Sequence, residues 1–116
     1  MQEKLCSVCS AAQGEKQIAP SESEIAALAA FFSLIATESR LKILLALDSR
    51  ELCAGHLAEE VCMAPSALSN QLKVLRQARL VSVRREGKML FYSLADCHPK
   101  AIIHLAMSHL HEENKN

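Results

Sequence analysis

Between residues 64 and 94 the hydrophobic period of this chain changes once. In APSALSNQLKVLRQ, Leu68, Leu72 and Leu75 recur at i, i+4 and i+7, a spacing that gathers them on one face of a helix. Directly afterwards LVSVRR and KMLFYSL alternate in the manner of strands on either side of EGK. Gly87 allows the left-handed backbone that a tight hairpin needs. A helix running into a hairpin within thirty-odd residues leaves few ways to build a core.

The segments upstream read as helices. Ser21 followed by Glu24 makes a capping box for SESEIAALAAFFSLIA, because the hydroxyl and the carboxylate can each satisfy an orphan backbone N–H at a helix start. ESRLKILLALDS predicts a second helix with Leu41, Leu44, Leu45 and Ala46 on a buried face and a turn over Asp48 to Arg50. ELCAGHLAEEVC predicts a third helix of about two turns. MAPSALSNQLKVLRQARL is the fourth, with Pro65 near its first turn. After the hairpin, Pro99 fits the first position of a closing helix that runs to about Leu110. The expected fold is mainly α with a small β-hairpin, four helices, two strands and a last helix, the order of a winged helix-turn-helix.

Size and composition set the boundaries of that expectation. Residues 1–20 are polar and aperiodic and read as a flexible arm, 21–112 as the folded domain, and 113–116 as a disordered tail. A single domain of 116 residues buries only about two thirds of its unfolded surface, so a homodimer is expected. No apolar run reaches the roughly 18 residues of a membrane span and the first residues lack a signal-peptide core; the expected location is cytoplasmic. Five cysteines, an odd count in a reducing compartment, favour thiol or metal chemistry over structural disulfides.

Net charge is zero, yet residues 66–88 carry Lys73, Arg76, Arg79, Arg84, Arg85 and Lys88 against Glu86 alone. A basic stretch in an otherwise acidic chain is the footprint of a phosphate-contacting surface. The fourth helix opens with Ser66, Ser69, Asn70 and Gln71, short polar groups suited to base edges because Asn and Gln pair bidentately with adenine. Lys73 and Arg76 would serve its flanks, and Arg84, Arg85 and Lys88 on the hairpin would touch the neighbouring DNA backbone. The competing structural account is that Ser66 and Ser69 only cap the helix and that Asn70 sits idle in solvent.

ELCAGHLAEEVCMAPSALSNQLKVLRQARLVSVRREGKMLFYSL resembles the helix-turn-helix and wing of the ArsR/SmtB family of metal-sensing repressors, and residues 25–112 match the whole core of that family. The resemblance implies a homodimer on an imperfect palindrome of double-stranded operator DNA, blocking transcription until a metal ion arrives. It also implies that the first and last helices form the dimer interface.

The last helix carries the metal-binding side chains. From His98 to His109 is eleven residues, about 1100° of helix, which returns both imidazoles to one face about 16 Å apart along the axis. Ligands of one zinc ion lie about 2 Å from it, so one helix cannot close the site. Two copies packed antiparallel about a two-fold axis would bring Asp96 and His98 of one to His109 and Glu112 of the other. Two nitrogens and two carboxylate oxygens suit tetrahedral Zn2+, with Co2+ as a mimic. This D-x-H, H-x-x-E arrangement is similar to that of the zinc-responsive branch of the family. His104 and His111 point elsewhere on the helix.

A second constellation is built on sulfur. Cys6 and Cys9 form a C-x-x-C in the arm, and Cys53 and His56 lie at i, i+3. The resemblance implies a second site where arm thiols meet the third-helix cysteine, here Cys6, Cys9, Cys53 and His56, with thiolates favouring Cd2+, Pb2+, Cu+ or Zn2+. Gly55 stands where the arsenic- and lead-sensing pattern has a second cysteine, and His56 replaces a frequent Asp. Cys62 reads as a small buried residue at the turn, and Cys97 as a spare donor. The alternative function is a thiol-redox-responsive winged-helix repressor that uses Cys6 and Cys9. An enzyme is not expected, since no nucleophile has a base at plausible spacing and a four-ligand site leaves no open position for water.

Overall fold

The computed structural model describes residues 19–115, so the arm carrying Cys6 and Cys9 lies outside the described residues. Helix α1 spans Glu22–Ile35 and opens with the expected box, Glu24 N–H donating to Ser21 Oγ at 3.2 Å and Ser21 N–H to Glu24 Oε1 at 2.9 Å. Thr37 caps α2, Glu38–Ala46. After a turn through Ser49 in the left-handed region come β1, Leu52–Cys53, and α3, Ala54–Val61. Helix α4 covers Pro65–Gln77, and strands β2, Val81–Glu86, and β3, Met89–Leu94, form the wing around Gly87 at φ +62°. Helix α5, Cys97–Lys115, closes the described chain.

One core joins these elements. Leu68, Leu72 and Leu75 of α4 are at most 2% exposed and belong to one buried cluster with Leu57 and Val61 of α3, Tyr92 of β3 and Ile103 of α5. In α2 the buried residues are Ile43, Leu44 and Ala46, followed by Leu47, whereas Leu45 is 44% exposed. The expectation for Leu45 fails because the core-facing stripe runs through Ile43 and Leu47, one turn apart on the same face.

Three further details differ from the sequence reading. Leu52 and Cys53 pair with Tyr92 and Phe91 as a third, antiparallel strand, giving the order β1-β3-β2, so Cys53 sits at the N-cap of α3 and not within it. Two residues are too few to show a strand period, which is why they read as helix. Cys62 is exposed, not buried, because it terminates α3 at φ 55° and turns the chain there toward α4. Helix α5 starts two residues before Pro99 and continues past Leu110 to Lys115. Pro99 is tolerated in the first turn, where backbone N–H groups lack intrahelical partners, and the polar residues after Leu110 include nothing that breaks a helix.

Candidate nucleic-acid interface and metal-ligand clusters

Helices α3 and α4 meet through the Cys62 turn, where Met63 N–H donates to Ala58 O at 3.0 Å. The N-cap of α4 is Ala64, without a side-chain hydrogen bond, so neither Ser66 nor Ser69 is the cap. Both are exposed, as are Asn70, Lys73 and Arg76. That leaves the hydroxyls and the Asn70 amide at the head of the helix facing solvent, as base-edge contacts require. Gln71 differs: it is half-buried and its Oε1 accepts from Arg40 Nε at 2.7 Å, while Arg40 Nη1 donates to Leu34 O at 2.8 Å. Arg40 thereby joins the end of α1 to α4, a link across 31 positions that no local pattern announces.

Beside α4, Lys73, Arg76 and Gln77 line an open cleft of about 470 Å³ with Val81, Ser82 and Val83 of the wing. The wing's cations fall into two kinds. Arg85 and Lys88 are exposed with no ion pair among the described residues. Arg84 is bound to Glu51, Nε to Oε2 at 2.9 Å and Nη2 to Oε1 at 2.8 Å, with Nη1 3.1 Å from Glu86 Oε1. The hydrogen bond from Arg84 lowers the pKa of the Glu51 carboxyl, and Glu51, then Glu86, raises that of the guanidinium.

At the head of α5, Asp96 Oδ1 accepts the His98 backbone N–H at 3.0 Å and lies 3.2 Å from His98 Nδ1. The backbone N–H, and secondarily the imidazole, hold the Asp96 pKa below its ordinary value. An ionised carboxylate next to an exposed imidazole fits a divalent cation. His109 and Glu112, both exposed, lie toward the other end of the same helix. His104, assigned no role from sequence, meets Asp48 with Nε2–Oδ2 at 2.6 Å, and Lys100 Nζ donates to Ser49 Oγ at 2.7 Å; together they tie α5 to the turn after α2.

Cys53 Sγ lies 3.8 Å from His56 Nδ1, so the structure brings this pair together; Cys6 and Cys9 are outside the described residues. Among the described residues, no three His, Cys, Asp or Glu side chains of one chain converge on a point. No described helix is long and apolar enough to cross a membrane.

Comparison with known proteins agrees with this architecture. A profile described as bacterial regulatory protein, arsR family, matches residues 37–83. The chain is 42% identical over 87 residues to a transcriptional repressor SmtB homolog of Synechocystis, covering 75% of this chain and 66% of that protein. It is 41% identical over 92 residues to the HTH-type transcriptional regulator NmtR of Mycobacterium tuberculosis, covering 78% of this chain and 77% of that one. Among solved structures, the AntR antimony-specific transcriptional repressor superposes with a TM-score of 0.73 at 29% identity, over 97% of this chain and all of the other. A homodimeric winged helix-turn-helix DNA-binding domain from Mycobacterium bovis also gives 0.73 at 25% identity, covering 85% and 94%. With its helix-turn-helix, its three-stranded wing and these relatives, the chain belongs to the ArsR/SmtB family of winged helix-turn-helix transcriptional regulators.

Proposed function

We propose that the chain is a metal-responsive repressor that binds operator DNA as a homodimer and is released by zinc, or by cadmium and related ions, so controlling genes of metal efflux or sequestration. The observation that carries this reading is the exposed Asp96–His98 pair, 3.2 Å apart at the head of a helix whose far end bears His109 and Glu112. Asp96 and His98 of one subunit and His109 and Glu112 of the other are the ligand set, two sites per dimer. Cys53 and His56, with Cys6 and Cys9 of the arm, are the ligands of a second, thiolate-rich site. Ser66, Ser69 and Asn70 read base edges, Gln71 supports them through Arg40, and Lys73, Arg76, Arg85 and Lys88 bind phosphates. Repression and metal response are also named for the SmtB homolog and the antimony-specific relative, respectively.

Release follows from linkage. An ion that binds more tightly to the dimer geometry with misplaced reading helices must weaken DNA binding by the same coupling free energy, about 1 to 3 kcal/mol in typical cases, or roughly 5- to 150-fold in affinity. The test is operator affinity, measured by fluorescence anisotropy on a duplex enriched by the protein from a random pool, with saturating zinc and with chelator. A loss of that order with zinc is expected; equal affinities in the two conditions would defeat the proposal. Cys6→Ser with Cys9→Ser separates the redox alternative, because zinc release through α5 persists without those thiols.

A further inference from the structure

Counting charge along the wing overstates what DNA can use. Arg84 and Phe91 are directly opposed in the β2–β3 ladder, and the guanidinium lies 4.8 Å from the ring centroid. Cys53 opposes Phe91 from the other edge. Directly opposed residues present side chains to the same face of a sheet, so Arg84, Phe91 and Cys53 form one row across it. Glu51, just before β1, closes that row from its end with the two-pronged contact to Arg84, and Glu86 takes the remaining nitrogen. All three guanidinium nitrogens are thus committed to two carboxylates. A DNA phosphate arriving there would find three of the five guanidinium N–H groups taken and would meet like charge from both acids.

We propose that Arg84 is a positioning residue that bolts the wing to β1, and that Glu51, by holding it, keeps one cation out of the operator contact and so sets operator affinity below what the wing could deliver. This rests on the DNA-binding reading above. It assigns the phosphate contacts of the wing to Arg85 and Lys88, which have no acidic partner among the described residues.

Counterion release makes the distinction measurable, because each phosphate neutralised on a duplex contributes about −0.9 to the slope of log affinity against log salt. The full-length chain and its E51Q, R84Q and E51Q/R84Q variants are titrated onto the enriched duplex between roughly 50 and 200 mM salt. Expected are an unchanged slope for R84Q, a slope steeper by about 0.9 for E51Q with tighter binding, and return to the wild-type slope in the double variant. A slope shallower by about 0.9 in R84Q would place Arg84 on a phosphate already and overturn the proposal. Steepening that survives in E51Q/R84Q would mean that removing an acid acts without Arg84, and would overturn it as well. An unchanged slope in E51Q, an isosteric exchange on the surface, is equally decisive against it. Wild-type protein that enriches no duplex would remove the DNA-binding reading and this inference with it.

Discussion

Leu75 and Leu45 are the same residue type on two helices, and the fold treats them oppositely. Leu75 is fully buried among the core side chains, whereas Leu45 is 44% exposed. Truncating a buried leucine loses both transfer energy and packing, so Leu75→Ala is expected to cost about 2 to 5 kcal/mol in urea unfolding. Leu45→Ala should stay within about 0.5 kcal/mol; a comparable loss there would show that this face is covered. Asp48 supplies a pH-dependent case. Its pKa is lowered from 3.8, first by the hydrogen bond with His104. A carboxyl whose folded pKa is depressed contributes stability that is complete above the unfolded value and disappears as pH falls through the folded one. Asp48→Asn should therefore be less stable than wild type near neutrality, and the two unfolding midpoints should converge once the pH has fallen through the lowered folded value, below 3.8. A gap that remained at that acidity would place the role of Asp48 in packing and not in its charge.

At the scale of elements, the proposed function divides DNA recognition between helix α4 and the wing, in two measurable parts. Asn70→Ala should remove discrimination worth about 1 to 3 kcal/mol between the enriched duplex and a scrambled one. Lys88→Gln should weaken both duplexes alike and flatten the salt slope by about 0.9. If Lys88→Gln altered only the preferred duplex, the division would be wrong. The helix and hairpin were legible because each repeats its period several times: three leucines fix the buried side of α4, and Gly87 marks the turn. Features that depend on one or two residues were not legible. Strand β1 has two residues and is defined by its partner Phe91 and Tyr92, which lie about forty positions away. Just past the end of helix α4 stands Arg79 at φ 63°, its N–H donating to Arg76 O and the N–H of Leu80 to Leu75 O; glycine is usual at such a stop, so the residue type gave no signal. The proposed ligand residues of α5 rest on helical arithmetic, whereas the pairing of His104 with Asp48 depends on how α5 packs.

At the scale of the whole molecule, the described residues leave large apolar side chains exposed on two helices. Ile25, Leu28 and Phe32 of α1 and Leu105 and Leu110 of α5 are each about half exposed, and in α1 only Ile35 is buried. Exposed large side chains grouped on two helices mark an interaction surface, and closed two-fold symmetry is its commonest use. If that symmetry sets the two α5 helices antiparallel, each metal site takes Asp96 and His98 from one subunit and His109 and Glu112 from the other. His98→Ala and His109→Ala then damage both sites of their own homodimers. In a heterodimer of the two variants the defects fall together in one site, and the other site is whole. Mixing the variants in equal amounts through reversible unfolding makes about half of the dimers mixed, and so restores about a quarter of the wild-type zinc sites. The readout is tight zinc binding, measured by competition with a chelating dye, for each variant alone and for the mixture. Were each site built within a single chain, every chain in the mixture would still carry its own defect and mixing would restore none, so recovery in the mixture requires ligands that come from two chains.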